Sequence, residues 1–270
     1  MIKLFVCDID NTLLNKNVGM PHANLEAILA LQKAGVIVAL ASGRINVGMI
    51  DLAHQLKLDH YGGYLIASNG SYVQSLSDGR ILCNELIALD KLKEMVDNAK
   101  RLDIHVSIQQ GNLLAYTVAD DAISYNRDVI GLQVEHHEDL SSYLYEAANK
   151  VEVTGWFHGD EAPFDDFCKL YQTDYSLIRG RGTFLDVMPL GITKASGVAV
   201  VMKELHLKRE EVAAIGDGEN DRHMLKAAGL SATLANAHIS LQEDVDHVVA
   251  SVEQAGLSHF AHLVLSKNAN

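Results

Sequence analysis

The chain has 270 residues, of which 48% are hydrophobic and 21% are charged, and this composition excludes a disordered, collagen-like or coiled-coil protein. Its formal net charge of −13 argues against nucleic acid or an anionic membrane as the main partner. No apolar run approaches the ~18 residues that a membrane-spanning helix needs. The three cysteines, an odd number at unrelated spacings, favour a reducing compartment, so we expect a cytoplasmic protein without disulfides.

The first third of the chain alternates apolar runs with helical patterns. The apolar segment 1–7 is too short for a signal peptide and predicts a buried strand that ends before Asp8. The helical patterns and apolar runs that follow lie at 24–34, 36–41, 47–56 and 64–67. Strands of continuous apolar residues separated by helices are typical of a parallel sheet that is covered on both faces.

The same alternation returns near the end of the chain. Helical patterns and short apolar strands are predicted there, in chain order, at 192–205, 212–215, 221–228, 230–234 and 247–250. The two ends of the chain therefore predict one α/β domain with a doubly wound, Rossmann-like parallel sheet.

The middle of the chain has a different pattern. Hairpin turns are indicated at Asp78-Gly79 and at Gly111-Asn112, a helix at 89–100, and an alternating strand at 183–188. Hairpins mixed with helices predict an inserted α+β cap domain at 82–186, within a core formed by 1–81 and 187–270. We expect Trp156 and Phe157 to lie in the insert's own core, and Arg179 to Arg181 to form a basic turn before the returning strand.

Polar clusters follow four of the core strands, at the point where each strand ends. These clusters are 8–12, 42–44, 68–70 and 216–221. In an open parallel sheet, ligands bind outside the carboxyl ends of the strands. We therefore expect the four clusters to meet at one edge of the sheet.

Four carboxylates fall on that edge, namely those of Asp8, Asp10, Asp217 and Asp221. A hard divalent cation that prefers oxygen ligands, Mg²⁺, would hold them together. Asp8 and Asp10 point the same way if the strand stays extended, because side chains alternate with period two. Asp221 has an alternative interpretation as the N-cap of the helix that follows it.

The residue types at this edge suit phosphoryl transfer. An aspartate can attack phosphorus and form an aspartyl-phosphate, and a second carboxyl group nearby can act as acid and base. The hydroxyl group of Ser42, the amide of Gly43 and the ammonium group of Lys194 could bind phosphate oxygens. The alternatives are a plain turn at Ser42 and an ordinary surface lysine at Lys194, and Lys194 taken alone favours the surface interpretation.

Taken together, these residues resemble the haloacid dehalogenase superfamily. The matching segments are Asp8 to Leu14 for its first motif, Ser42 to Arg44 for its second, Lys194 for its third and Gly216 to Asp221 for its fourth. The subgroup resembled is that of the Cof-type (subclass IIB) sugar phosphatases, which carry a large cap between the second and third motifs. Further segments that look like this subgroup are 68–70, 189–194, 236–237 and 255–257.

The resemblance implies a role for each matching residue. Asp8 would be the nucleophile, and Asp10 would protonate the leaving oxygen and later activate water. Mg²⁺ would be bound by Asp8, the backbone carbonyl of Asp10, and Asp217. The phosphoryl group would be bound by Ser42, Gly43, Lys194 and Asn220, and Asp221 would support the metal through water or Lys194. The chain departs from the subgroup at Ala195-Ser196, which precede Gly197, and at Leu234-Ala235, which precede Asn236.

These observations predict a cytoplasmic, Mg²⁺-dependent phosphatase that forms an aspartyl-phosphate. Its partner would be a small phosphorylated metabolite such as a sugar phosphate, with no nucleic acid or membrane involved, and we expect a monomer or a weak homodimer. One alternative is a phosphomutase or phosphotransferase with the same intermediate. Another is a phospho-receiver or sugar-phosphate sensor without turnover, although a receiver domain is about half this length and lacks a cap-sized insert.

Overall fold

The computed structural model describes residues 1–15, 17–155, 161–179 and 184–269. Several residues named above, Trp156, Phe157, Gly180, Arg181 and Thr183, lie outside the described residues. Within the described part of the chain, no helix combines the length and the apolar character that crossing a bilayer would require.

The described residues form fourteen strands and ten α-helices. Numbered along the chain, the strands are β1 (Leu4–Cys7), β2 (Ile37–Ala41), β3 (Tyr64–Ala67), β4 (Tyr72–Ser75), β5 (Ile81–Asn84), β6 (His105–Gln110), β7 (Leu113–Tyr116), β8 (Gln133–His136), β9 (Val151–Thr154), β10 (Tyr175–Arg179), β11 (Leu185–Pro189), β12 (Val212–Ile215), β13 (Leu230–Leu234) and β14 (His247–Val249). The helices are α1 (His22–Lys33), α2 (Ile50–Gln55), α3 (Leu89–Arg101), α4 (Asp121–Asp128), α5 (Leu140–Tyr143), α6 (Ala162–Tyr171), α7 (Lys194–Glu204), α8 (Arg222–Ala227), α9 (Ile239–Gln242) and α10 (Gly256–Ala269). Short 3₁₀ helices lie at Asn46–Met49, Ser68–Gly70, Arg209–Glu211, Glu219–Asp221 and Val252–Gln254.

The chain divides into two units. The first contains Met1–Cys83 and Thr193–Asn270, and the second contains Asn84–Ile192. The predicted boundaries lay after residues 81 and 186, and both observed boundaries fall a few residues later in the chain. The first is later because β5 belongs to the sheet of the first unit, and the second because β11 pairs along its length with β10 in the other sheet. The role of the second unit as a cap stays a prediction.

The first unit contains an eight-stranded sheet in the order β14-β13-β12-β1-β2-β3-β4-β5. The six strands from β14 to β3 are parallel to their neighbours, and β4 runs antiparallel to β3. Consecutive early strands extend the sheet to one side of β1, and the late strands extend it to the other side. The predicted doubly wound parallel core is therefore confirmed.

Strand β1 is buried from both faces of this sheet. Phe5 and Cys7 pack in one apolar layer with helices α1 and α10, whereas Leu4 and Val6 pack in the opposite layer with α7 and α8. Full burial of a large apolar side chain contributes about 1.5–3 kcal/mol, so this strand is firmly held. The residue that follows it, Asp8, is thereby fixed at the carboxyl edge of the sheet.

The second unit contains a six-stranded sheet in the order β10-β11-β9-β6-β7-β8. Neighbouring strands are antiparallel except for β7 and β8. Helices α3, α5 and α6 share an apolar core with alternate residues of this sheet, among them Val106 and Val153. The unit is an α+β insert, as the hairpin signals predicted, but the sequence interpretation did not resolve β8, β9, β10 or the helices α4 to α6.

Candidate active site

Four neighbouring parallel strands carry the predicted polar clusters at their carboxyl ends. In the spatial order β12-β1-β2-β3, these strands are followed by Gly216, Asp8, Ser42 and Ser68. Because the strands run in the same direction, their ends meet at one edge of the sheet.

Lys194 lies at the centre of the acidic cluster. Its Nζ donates to Asp8 Oδ1 at 2.6 Å and to Asp221 Oδ1 at 2.7 Å. The residue is 0% exposed, which rules out the alternative of an ordinary surface lysine. A buried ammonium group needs a neighbouring negative charge, and here two carboxylates contact it directly.

Asp221 organises the loop that follows β12. Its Oδ2 accepts hydrogen bonds from the backbone N–H groups of Asp217, at 3.0 Å, and Gly218, at 2.8 Å. Asp221 stands at the N-cap position of helix α8, as the alternative interpretation had it, but its side chain caps no N–H group of that helix. Gly216 is needed beside it, because a Cβ atom there would lie 2.4 Å from Asp221 Cγ.

Asp217 completes a group of three buried carboxylates. Oxygen atoms of Asp8, Asp217 and Asp221 all lie within 4.8 Å of one another, and this is the one such group found in the described residues. Asp217 Oδ1 also accepts a hydrogen bond from the hydroxyl group of Thr12 at 3.0 Å. With all three carboxylates ionised, the cluster with its one lysine would carry an excess of two negative charges, and its oxygen donors are those that suit a hard divalent cation.

The charges of the cluster act on one another strongly. Burial raises the pKa of Asp8 well above its ordinary value, the charge of Asp221 raises it further, and Lys194 lowers it in part. Burial by itself would lower the pKa of Lys194, but the carboxylates of Asp221 and Asp8 outweigh that effect and raise it. The lysine therefore stays charged, while the ionised form of Asp8 needs more positive charge than Lys194 alone supplies.

Two local features bring Lys194 into the cluster. A capping box begins helix α7 at this residue, in which Ser196 N donates to Thr193 Oγ1 at 3.3 Å and Thr193 N donates to Ser196 Oγ at 3.1 Å. Gly70, with φ of +104°, lies so close to the start of the helix that a Cβ atom would be 2.3 Å from the Thr193 carbonyl oxygen. The departure at Ala195-Ser196 thus supplies the cap that starts this helix.

Asn69 connects the proposed phosphate-binding residues. Its backbone N–H donates to the carbonyl of Ser42 at 2.9 Å, and its Oδ1 accepts from Asn220 Nδ2 at 3.0 Å. Asn69 is fully buried and left-handed, with φ of +52°. Ser42 is buried, and Gly43 is half-buried in the turn that follows it.

Asp10 lies beyond the end of strand β1 and has a partner of its own. Strand β1 ends at Cys7, so the alternation that predicted a shared direction does not extend to Asp10. The Asp10 carboxylate lies outside the group formed by Asp8, Asp217 and Asp221, and it pairs with Arg44 through Oδ1 at 2.6 Å. The strand periodicity on which a shared direction depended therefore does not reach Asp10, and the joint role of the two carboxylates stays a prediction.

Three further residues lie at the site although the sequence patterns assigned them no role, namely Thr12, Arg44 and Asn69. Each belongs to a polar cluster at a strand end, and that position was the available signal.

The second unit contains a buried charged network that no sequence pattern indicated. Lys150 Nζ there lies 2.6 Å from Glu152 Oε1 and 3.1 Å from Asp186 Oδ1.

Known proteins resemble this chain over nearly its whole length. A putative phosphatase of Streptococcus pyogenes is 27% identical over 269 residues, which cover 96% of each chain. The 5-amino-6-(5-phospho-D-ribitylamino)uracil phosphatase of Bacillus subtilis is 26% identical over 266 residues, which cover 98% of this chain and 96% of the relative.

The fold is shared with a solved structure of a subclass IIB sugar phosphatase of the haloacid dehalogenase superfamily. The TM-score is 0.82 at 20% identity, and the match covers 97% of this chain and 98% of the other. The sequence model of the haloacid dehalogenase-like hydrolases matches residues 5–260. The protein therefore belongs to the haloacid dehalogenase-like hydrolase family, and the predicted family and enzyme class are confirmed.

Proposed function

We propose that this hydrolase is a Mg²⁺-dependent phosphatase that cleaves a small phosphorylated metabolite through an aspartyl-phosphate on Asp8. The observation that carries the proposal is the contact between the Asp8 carboxylate and the buried ammonium group of Lys194, within a group of three buried carboxylates. This arrangement combines a nucleophile with a fixed positive charge beside it.

The donor set fits a divalent cation. Asp8 and Asp217 offer carboxylate oxygens, and the backbone carbonyl of Asp10 is the third proposed ligand. Both oxygens of Asp221 already accept hydrogen bonds, from Lys194 and from the Asp217 and Gly218 amides, so Asp221 suits a supporting role. A bound Mg²⁺ would neutralise charge on the transferring phosphoryl group and on the buried carboxylates.

In the first half-reaction, an oxygen of the Asp8 carboxylate attacks the phosphorus atom. The new bond from Asp8 to phosphorus forms while the bond from phosphorus to the metabolite oxygen breaks. Asp10, protonated at this stage, gives its proton to the departing oxygen, so that an alcohol and not an alkoxide leaves. Lys194, Ser42 and the amide of Gly43 would bind the phosphoryl oxygens.

In the second half-reaction, the Asp10 carboxylate takes a proton from water as that water attacks the phosphorus. The bond between phosphorus and Asp8 breaks, inorganic phosphate leaves, and Asp8 returns as a carboxylate. Asp10 is protonated again and ready for the next cycle. Atoms and protons balance over the two steps, and water is the only co-reactant.

The substrate class rests on the relatives. The Bacillus subtilis relative is named for a phosphate ester on a ribityl chain, and the structural neighbour is named a sugar phosphatase. We extend this chemistry to the present protein as a phosphate ester of a small polyhydroxylated metabolite. The formal charge of −13 disfavours polyanionic partners, and we expect neither nucleic acid nor membrane binding.

The second unit, 84–192, is proposed to act as the cap that selects the substrate. A chimera tests this, in which the corresponding unit of the Bacillus subtilis relative replaces 84–192. The preference for the relative's substrate should move with the exchanged unit, while turnover of a small aryl phosphate should change little. A substrate preference that stays with the first unit would contradict the proposal.

The proposal also includes a cytoplasmic location and a monomer or weak homodimer. The free thiols of Cys7, Cys83 and Cys168 suit a reducing compartment. Fractionation of the native host and light scattering over a range of concentrations test these two points.

The decisive experiment is a screen of phosphorylated metabolites that detects released inorganic phosphate, with Mg²⁺ and without any bisphosphate. Phosphate release from at least one sugar phosphate is the expected result. Transfer of the phosphoryl group only in the presence of a bisphosphate primer would show a phosphomutase. Binding without turnover of any metabolite or aryl phosphate would favour a sensor.

A further inference from the structure

The carboxylate of Asp10 is held by the guanidinium group of Arg44, which has no part in the steps above. Arg44 Nε lies 2.9 Å from Asp10 Oδ2, and Arg44 Nη2 lies 2.6 Å from Asp10 Oδ1. A bidentate pair of this kind fixes the plane of the carboxylate as well as its distance. The Arg44 side chain is 8% exposed and that of Asp10 is 31% exposed, so the guanidinium group is the more deeply buried partner.

Arg44 is itself anchored to the ends of two other strands. Its backbone N–H donates to Ser42 Oγ at 3.1 Å, and its carbonyl accepts from the N–H of Ser68 at 2.8 Å. Its Nη1 donates to the carbonyl of Gly48 at 3.4 Å. The position of the guanidinium group is therefore set by the segments that follow β2 and β3.

The backbone of β1 does not direct Asp10. The carbonyl of Ile9 accepts hydrogen bonds from the N–H groups of Leu13 and Leu14, and Asn11 is left-handed with φ of +63°. Asp10 thus lies within a tight turn that begins at Ile9. In such a turn the alternation of an extended strand no longer determines where a side chain points, so another group must orient this carboxylate.

We propose that Arg44 is the positioning residue of Asp10: it orients the ionised carboxylate that takes a proton from water in the second half-reaction. The catalytic role of Arg44 rests on the proposed function. The contact between Arg44 and Asp10 does not depend on that function. Arg44 makes no bond to the reacting atoms in this role. Its contribution is orientation, and a misplacement of a catalytic group by about 1 Å can cost about 10²-fold in rate.

A double-mutant cycle measures whether Arg44 acts through Asp10. Arg44→Met keeps the aliphatic stem and removes the guanidinium donors. It should slow the hydrolysis of a sugar phosphate by about 10- to 100-fold in the parent protein, and by less than about twofold when Asp10→Ala is already present. Equal slowing in both backgrounds would mean that Arg44 acts on the substrate directly, and it would overturn the proposal. Faster turnover in Arg44→Met would overturn it as well.

Chemical rescue separates orientation from a merely structural role. Millimolar guanidinium, far below denaturing concentrations, should restore part of the activity of Arg44→Ala without changing its melting temperature. Arg44→Lys, which keeps the charge but not the planar fork, should lie between the parent and Arg44→Ala. The matched control is Arg80, which pairs with Asp78 on an exposed turn. Arg80→Ala should show neither the rate loss nor the rescue.

The same double-mutant cycle can be measured by urea unfolding, which reports stability and not activity. Arg44→Met should raise the unfolding equilibrium constant about fivefold or more in the parent and less than about twofold in the Asp10→Ala background. Equal effects in both backgrounds would overturn the pairing. If the parent protein releases no phosphate from any ester, the proposed function is wrong, and the catalytic role of Arg44 is wrong with it. Coupling between Arg44 and Asp10 in the unfolding cycle would then still confirm their contact.

Discussion

The ammonium group of Lys194 lies 2.6 Å from the carboxylate of Asp8, although 186 residues separate them in the chain. The two residues come from different layers of the fold, since Asp8 follows the central strand β1 and Lys194 begins helix α7. Their contact is the point at which the proposed nucleophile and the proposed phosphoryl-binding charge meet.

Removing this charge should destabilise the first unit. Lys194→Met leaves Asp8 and Asp221 as buried carboxylates without their ammonium partner, and breaking such a pair costs about 3–5 kcal/mol. Urea denaturation at neutral pH measures the loss. Lys203, which is exposed at the other end of the same helix, supplies the control. Lys203→Met should stay within about 0.5 kcal/mol of the parent, and an equally small loss for Lys194→Met would contradict the pairing.

Mg²⁺ should stabilise the folded protein because it compensates the charge of the three buried carboxylates. At a concentration 100 times its dissociation constant, the gain is about 2.7 kcal/mol. The melting temperature should rise with added Mg²⁺, and a chelator should reverse the rise and stop phosphate release. Asp217→Asn should weaken the shift, whereas Asn in place of the exposed Asp51 should leave it intact. Full turnover in excess chelator would contradict the metal requirement.

In the second unit, the raised pKa of Lys150 predicts that the fold loses stability at alkaline pH. Burial by itself would lower its pKa, but the carboxylates of Asp186 and Glu152 raise it from 10.5 to about 12. A lysine whose pKa is raised in the folded state stabilises the fold fully below its unfolded value, and this stabilisation is lost as the pH rises through the folded value. The shift corresponds to about 2 kcal/mol, lost between about pH 10.5 and pH 12.

The test is to compare the unfolding of Lys150→Met with that of the parent from pH 7 to pH 12. The variant should be less stable at neutral pH by about 3–5 kcal/mol, and the difference should narrow above about pH 10.5. Lys169, whose partner Asp166 is exposed, is the control, and Lys169→Met should differ only slightly from the parent at every pH. A constant difference for Lys150→Met would argue against the buried pair.

The sequence predicted the core sheet and the place of the site because both follow from local patterns. Apolar runs identified the buried strands, and the carboxyl ends of parallel strands placed the polar clusters at one edge. The direction of Asp10 could not be predicted in this way, because the alternation ends with β1 at Cys7 and the next residues form a turn. The orientation of Asp10 depends instead on Arg44, a partner 34 residues away.

The burial of single charged residues could not be predicted from the sequence either. Nothing local distinguishes Lys194 from a surface lysine, since its burial comes from the packing of α7 against the loop at Gly70. The same holds for Glu152, because a glutamate carries no local sign that it is buried. In the structure Glu152 is buried and bonded to Lys150, Ser107 and Asn126.

Two substitutions of Asn69 should separate the effect of its left-handed backbone from the effect of its hydrogen bond to Asn220. Asn69→Gly keeps the left-handed backbone at no steric cost but removes the bond to Asn220 Nδ2. Asn69→Ala removes the bond and adds a backbone penalty of about 1–2 kcal/mol. We expect similar losses of activity in the two variants, with Asn69→Ala less stable by about that penalty in urea. Parent-like activity in Asn69→Gly would show that the link to Asn220 has no part in catalysis.

Replacing Asp8 or Asp10 by asparagine should impair different steps of the reaction. Asp8→Asn removes the attacking oxygen, so no aspartyl-phosphate forms and turnover of every substrate stops. Asp10→Asn keeps the nucleophile but removes the acid and base, which is typically worth ~10²–10⁴-fold. A sugar phosphate should then react slowly in both half-reactions, because an unprotonated alkoxide is a poor leaving group.

An activated aryl phosphate distinguishes the two steps in Asp10→Asn, since its leaving group needs little protonation. Asp8 should still be phosphorylated while hydrolysis lags, so the phosphoenzyme accumulates. Mass spectrometry after an acid quench should find one added phosphoryl group on the peptide that contains Asp8, and none in Asp8→Asn. If Asp10→Asn instead hydrolyses both substrates at the parent rate, Asp10 is only structural, and the acid–base part of the mechanism, together with the role given to Arg44, is wrong.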